Sequence, residues 1–344
     1  MQLGQAITVV GVHAEGEVGR VITGGVIAPR AASMFERQQV LQREQDWLRL
    51  MLLSDPRGSV NAAVNLVTPP ISPEADVGLI VMESNYYPPM SGSNLMCTVT
   101  AVLETGMFPM TEPVTRLCVD TPAGLVRVEA ECGGGKCRRV SFRNVPAFVM
   151  HSQRTVDVPG LGTITVDVAY GGMIYVLVDA HALGFALVPA EARALVELGE
   201  RIKRAAAVQL PAIHPENPGI HTINQTLFAG PLTVVDGIKT ARNAVVVSPG
   251  RIDRSPCGTG CSARMAVMSV RGDLGVGEPF RHLSILGTEF SCGIERSTSV
   301  GGIDAVVTKV GGRAWLTGVS YYGVDPEDPF PQGYRLNDTW LSCD

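Results

Sequence analysis

Charge is scarce in this 344-residue chain: 18% of residues are charged and the formal net charge is −5. That balance gives no electrostatic case for DNA, RNA or an anionic membrane as a partner. Long apolar runs are missing as well. The greasiest stretch, after Gly172, is interrupted by Asp179 and His181, well short of a membrane-spanning length. The start, Met1-Gln2-Leu3-Gly4-Gln5, has neither the basic residues nor the apolar core of a secretory leader, so the chain is expected in the cytoplasm. There the 8 cysteines are expected as reduced thiols rather than a disulfide framework. A Gly-x-x-x-x-Gly-Lys phosphate loop, a dinucleotide fingerprint after a strand and a Gly-x-Ser-x-Gly elbow are also lacking, because Ser91 is followed by Gly-Ser-Asn. Neither a short-period repeat nor a flexible linker is found.

What is present describes a well-buried globular protein, 45% hydrophobic and rich in the glycine (38) and proline (23) of many short strands and turns. Its length suffices for two domains. Residues 7–30 read as two strands around the polar turn His13-Ala14-Glu15-Gly16-Glu17, and 32–53 as one helix with Met34, Leu41, Trp47, Leu48, Met51 and Leu52 on its apolar side. Strands follow at 59–67 and 77–82, and alternation returns from Val114 to Phe148 with a hairpin tip at Gly133-Gly134-Gly135. Further strands are expected at 163–168, 173–179, 221–227, 232–235 and 243–247, a helix at 189–207 opening with Pro189, and alternation again over 283–321. Strands, helix, strands and a loop leading into a helix thus occur twice. The crossover between the two copies falls near 150–170.

The two loop-helix passages draw most attention. Asp253-Arg254-Ser255-Pro256-Cys257-Gly258-Thr259-Gly260-Cys261 runs into an apolar helix-former that stops at Gly272, and Ser91-Gly92-Ser93-Asn94 runs into another that stops at Gly106. Aligning Ser91 with Cys257 places Gly92 on Gly258, Ser93 on Thr259 and Asn94 on Gly260. Asn and Gly are the residues that tolerate a left-handed turn. A helix N-terminus offers unpaired N–H donors and about half a positive charge, which attracts carboxylates and favours thiolate over thiol. The plainer reading of the Cys257 stretch is a Gly-rich turn with a buried cysteine. Asp253 is either a ligand-contacting or a loop-stabilising carboxylate. His221, on an expected strand, is more often structural than catalytic. Cys132 and Cys137 bracket the Gly-rich tip without a second ligand pair nearby, so no metal is expected; Cys97 and Cys261 read as core residues, and Cys118, Cys292 and Cys343 carry no signal.

The octapeptide 253–260, together with Met90-Ser91-Gly92-Ser93 and His13-Ala14-Glu15-Gly16-Glu17, resembles the proline racemase superfamily over nearly the whole chain. That resemblance implies an α+β, diaminopimelate-epimerase-like fold of two pseudo-symmetric halves, each a curved sheet or barrel around a central helix. The first half would span 1–165 plus a C-terminal tail from about 325 to 344, the second 166–324, with the active site in the cleft between them. It further implies a small imino acid as ligand, no cofactor and a homodimer. By the same resemblance Cys257 is one of two acid/base groups, Gly92, Ser93, Gly258 and Thr259 bind the substrate carboxylate, and Asp253 and His221 contact the ring nitrogen. The family pattern has Met-Cys-Gly-His where this chain reads Met90-Ser91-Gly92-Ser93.

Serine is a far weaker base than a thiol of pKa about 8.5. The expectation is therefore dehydration of trans-3-hydroxy-L-proline to Δ1-pyrroline-2-carboxylate, with Cys257 removing the α-proton and Ser91 helping to expel the hydroxyl. The alternative is 2-epimerisation of a 3- or 4-hydroxyproline, with Ser91 or a water it holds as the second acid/base. A carboxylate-binding protein without turnover belongs to a different class.

Overall fold

A computed structural model describes residues 6–340. They fall into two compact units. One runs up to Phe142 and takes up the chain again from Gly312; the other is Arg143–Gly311. These limits differ from the expected 165 and 325, and strand pairing is the reason. Strands Ala147–Val158 and Gly162–Tyr170 pair with each other, and the second of them pairs onto Ile174–Asp179. Ala314–Gly323 instead pairs along the whole of Ala6–Ala14, which returns it to the first unit.

In the second unit the strands close on themselves. Ala147–Val158, Gly162–Tyr170, Ile174–Asp179, Gln225–Ala229, Ile238–Val247, Pro279–Leu283, Glu289–Val300 and Ile303–Gly312 follow one another in the sheet, and the last pairs back onto the first through Ala305 and Val306. The result is a barrel without a free edge. Helix Gly258–Arg271 packs against its strands, and every residue from Gly258 to Met268 is buried. At Gly171 the turn between Gly162–Tyr170 and Ile174–Asp179 presses on that helix so closely that a Cβ would collide with the Thr259 carbonyl oxygen and the Ala263 nitrogen. Helix Ala192–Gln209 turns Leu195, Leu198, Ile202 and Ala206 inward, as the 3.6-residue spacing requires.

The first unit repeats the plan. Its pairing order is Ala314–Gly323, Ala6–Ala14, Glu17–Gly24, Ala62–Thr68, Val77–Met82, Val114–Thr121, Gly124–Gly133. Helix Gly92–Glu104 packs against this sheet, buried at every position from Gly92 to Leu103. The single helix expected over 32–53 is two, Met34–Glu44 and Trp47–Leu53. Gln45 leaves the helical region at φ −134°, and Asp46 instead binds Arg49 through both carboxylate oxygens at 2.7 Å. Ser33 caps the first of them by accepting from the Glu36 N–H at 3.1 Å. Both helices cover a core of Ile7, Val9, Ile22, Leu66, Ile80 and Met82. Cys343 lies outside the described residues. No helix among the described residues is long and apolar enough to cross a membrane.

Candidate active site

The Cys257 turn is built by its neighbours rather than by its glycines. Asp253 Oδ1 accepts from both the N–H and the hydroxyl of Ser255 at 2.8 Å, and Ser255 Oγ accepts from the Cys257 N–H at 3.1 Å. The Pro256 carbonyl oxygen accepts from Asn243 Nδ2 at 3.0 Å. Held so, Cys257 itself takes φ +67°, while Gly258 and Gly260 are helical. The left-handed position expected of a glycine or asparagine therefore falls on the cysteine. A non-glycine residue there costs on the order of 1–3 kcal/mol and persists only where the surroundings fix it. Gly260 serves by leaving room: a Cβ would stand 2.9 Å from Cys257 Sγ.

Cys257 occupies the N-cap of helix Gly258–Arg271, so the first N–H groups of that helix lack partners within it. Its sulfur lies 3.4 Å from the hydroxyl of Tyr175, which is 2.6 Å from Thr259 Oγ1. Burial pushes the thiol well above its ordinary pKa, and the Asp253 carboxylate pushes it further, both by its charge and by accepting the S–H. The Tyr175 hydroxyl and the Gly260 N–H act in the opposite direction and are outweighed. Burial and the Asp253 carboxylate thus favour the protonated thiol, the opposite direction to the pull of the helix end. At 5% exposure, desolvation of a sulfur anion exceeds what half a charge at a helix end returns.

In the first unit Ser91 holds the equivalent N-cap of helix Gly92–Glu104 and is half-buried. Its hydroxyl oxygen accepts from Asn94 Nδ2 at 2.9 Å, and Asn94 Oδ1 accepts from Asn65 Nδ2 at 3.0 Å. Asn94, matched to Gly260 for backbone freedom, works through its side chain instead. Gly19 makes room for the pair, since a Cβ there would meet Asn94 Oδ1 at 2.7 Å and Asn65 Nδ2 at 2.9 Å. A hydroxyl that accepts an amide proton has its own proton left to donate. Ser93 is buried one residue into the helix.

The proline racemase family model matches residues 9–335. The chain belongs to the proline racemase family. Two crystal structures are similar over nearly its whole length. One is a hydroxyproline epimerase from Agrobacterium vitis with bound trans-4-hydroxy-L-proline, at 35% identity and a TM-score of 0.94, covering 99% of this chain and 97% of that one. The other is a probable proline racemase from Agrobacterium radiobacter K84 with bound carbonate, at 37% identity and a TM-score of 0.93, covering 98% of each. Methylitaconate-delta-isomerase, at 15% identity and a TM-score of 0.52 over 92% of this chain and 95% of that one, shares the fold.

Within this member of the proline racemase family, the second unit brings Asp253, Cys257, Gly258 and Thr259 together, and the first brings Ser91, Gly92 and Ser93 together. His221 stands apart from the Cys257 turn's hydrogen-bonded neighbours: it closes the strand Asn217–His221, pairs with Ile213 in a two-stranded sheet and is exposed. The expected 221–227 strand breaks there because Thr222 takes φ +66°. His13 stacks on Trp315 at 5.1 Å, and the turn after it places Glu15 and Gly16 at positive φ. The buried thiols of Cys132 and Cys137 bond to Thr115 and Thr100 at 3.5 and 3.8 Å. No group of three or more His, Cys, Asp or Glu among the described residues could hold a metal ion.

Sequence reasoning missed Tyr175 and Asn243, and it read Asn94 for its backbone rather than its side chain. A lone tyrosine in the buried apolar run 174–178 was the signal available for the first, since a buried phenol needs a partner. A cavity of about 560 Å³ lies along the C-terminal half of the helix, lined by Asp179, Arg264, Met268, Arg271 and Asp273 among others. Arg264, its helical lining residue nearest to Cys257, stands about 10 Å along the axis from it.

Proposed function

We propose that this protein moves the α-proton of a hydroxyproline without a cofactor and that the net reaction is inversion at C2. The observation that carries the reading is the 35% identity, over 99% of the chain, with a hydroxyproline epimerase whose structure holds trans-4-hydroxy-L-proline. Cys257, as thiolate, takes the proton from one face. Ser91, or a water it holds, gives one to the other. The N–H groups of Gly258 and Thr259, with those of Gly92 and Ser93, take the substrate carboxylate and stabilise the charge that develops beside it.

Asp253 is proposed to meet the protonated ring nitrogen. A cation there offsets the carboxylate charge that helps hold Cys257 as a thiol, so the substrate itself eases formation of the base. The competent form is the minor thiolate, and activity rises with pH through the Cys257 ionisation. Ser91, bonded by Asn94, is a better donor than base. Exchange of the α-proton from the isomer that meets Cys257 therefore runs faster than from its mirror partner.

The same bond favours a second reading, dehydration of trans-3-hydroxy-L-proline to Δ1-pyrroline-2-carboxylate. There Cys257 removes the α-proton, Ser91 donates to the departing 3-hydroxyl, and the enamine tautomerises. Incubation with trans-4- and trans-3-hydroxy-L-proline in heavy water separates the two. Inversion by polarimetry with loss of the α-proton signal supports epimerisation. Pyrroline-2-carboxylate, followed through a coupled reductase, supports dehydration. Absence of α-proton exchange with every proline analogue sinks both and leaves a carboxylate-binding protein.

A further inference from the structure

Beneath the Cys257 turn, three buried side chains form a line of hydrogen bonds that the proposed chemistry does not use. Cys261 and His282 are 0% exposed and Arg264 is 6% exposed. Arg264 donates through Nη1 to the Arg242 carbonyl oxygen at 2.9 Å and through Nη2 to that of Gly230, and its Nη1 lies 3.3 Å from His282 Nε2. A guanidinium only donates, so Nε2 accepts and the ring proton sits on Nδ1. That nitrogen faces Cys261 Sγ. The sulfur accepts the ring proton and directs its own S–H to the Pro256 carbonyl oxygen, 3.4 Å away.

Two further bonds converge on the same backbone. Asn243 Nδ2 donates to the Pro256 oxygen at 3.0 Å, and the Cys261 N–H donates to the Cys257 carbonyl at 2.7 Å. Cys257 between them holds φ +67°, a conformation that relaxes unless its flanking peptides are fixed. Burial and the Arg264 charge drive His282 well below its ordinary pKa, so the ring stays neutral with one nitrogen accepting and the other donating. The Cys292 thiol beside Cys261 and the Asp179 carboxylate facing Arg264 are the other ionisable groups turned towards this line.

We propose that Cys261, His282 and Arg264 are positioning residues, a buried relay that clamps the Pro256–Cys257 peptide and so keeps the Cys257 sulfur in place. The inference rests on the reading of Cys257 as the reacting thiol. Without the clamp, the turn relaxes out of the left-handed region and the sulfur leaves the reach of Tyr175 and the Gly260 N–H. Substrate still binds, because the helix N–H groups remain; turnover does not follow.

The test compares Cys261→Ala with Cys261→Ser, since serine keeps both the donor to Pro256 and the acceptor for His282. Cys261→Ala is expected to lower kcat for α-proton exchange at least ten-fold with KM within about three-fold of wild type, and Cys261→Ser to restore most of the loss. Leaving its buried place relieves the desolvation that outweighs the lost Tyr175 and Gly260 contacts, so iodoacetamide labelling of the Cys257 peptide, read by mass spectrometry without substrate, should speed up at least five-fold in Cys261→Ala and stay near wild type in Cys261→Ser. Equal losses in the two variants, or a wild-type kcat in Cys261→Ala, would overturn the relay. Should Cys261→Ala not fold, His282→Asn (which keeps a donor near Nδ1) against His282→Leu decides in the same way, a ten-fold advantage of asparagine supporting the relay and equality refuting it. Retention of exchange by Cys257→Ser sinks the underlying reading instead, whatever Cys261 does.

Discussion

Replacing Tyr175 by phenylalanine tests the electrostatics of the thiol most directly. Tyr175 is 0% exposed, and its hydroxyl joins Cys257 Sγ at 3.4 Å to Thr259 Oγ1 at 2.6 Å. Thr259 can donate to the phenol oxygen and the phenol proton can then turn to the sulfur, where it stabilises thiolate more than thiol. Burial and Asp253 already hold the thiol above its ordinary pKa, and Tyr175 is the first of the groups opposing them. Its loss must therefore raise that pKa further.

A hydrogen bond to a charged group contributes about 1.5–3 kcal/mol, and each 1.4 kcal/mol is ten-fold, so thiolate at neutral pH should fall by roughly ten- to a hundred-fold. The rising limb of kcat/KM for α-proton exchange is expected to move to higher pH, with most of the activity recovered on its alkaline side. The pH dependence of Cys257 alkylation should move with it. A limb that stays in place, or moves towards acid, would refute the assignment of Tyr175 as the donor that supports the thiolate.

Ser91→Cys replaces a poor base by a titratable thiol. It should raise inversion relative to elimination and even out exchange from the two isomers, as read by polarimetry and deuterium incorporation. Asp253→Asn removes a charge that raises the Cys257 pKa but also the proposed ring-nitrogen contact. Alkylation of Cys257 at neutral pH should quicken while kcat/KM drops by ten-fold or more, and parallel movement of the two would count against the dual role. Gly171→Ala forces a Cβ into the Thr259 carbonyl and the Ala263 nitrogen. Overpacking of this kind costs about 1–3 kcal/mol, visible as a lower midpoint in urea, and an unchanged midpoint would mean that the turn can withdraw from the helix.

Much of the fold was legible because it rests on local pattern. The strand Val77–Met82 and the helices following Ser91 and Cys257 are written in alternation, in buried apolar runs and in stops at Gly106 and Gly272. The places where the pattern misled are those where a long-range partner decides. Ala314–Gly323, expected to continue the alternation of 283–321, is exposed over five successive residues and pairs with Ala6–Ala14, a choice no local period encodes. The break at Gln45 between two helices, and the break at Thr222 that sets His221 on an exposed hairpin, arise from backbone angles that apolar spacing cannot register.

Sequence alone determined which groups are available: one thiol at a helix start, one alcohol at another, N–H donors exposed by small residues, and a carboxylate four positions ahead of the thiol. These are properties of short segments, and short segments fold by rules of spacing and capping. Only the tertiary structure decided which way the acidity of the thiol is pushed. Its protonation depends on how completely it is buried, on where the Asp253 charge falls and on a tyrosine 82 positions away in the chain. Desolvation and through-space charge depend on distance in the fold, and a linear order of residues does not contain that distance.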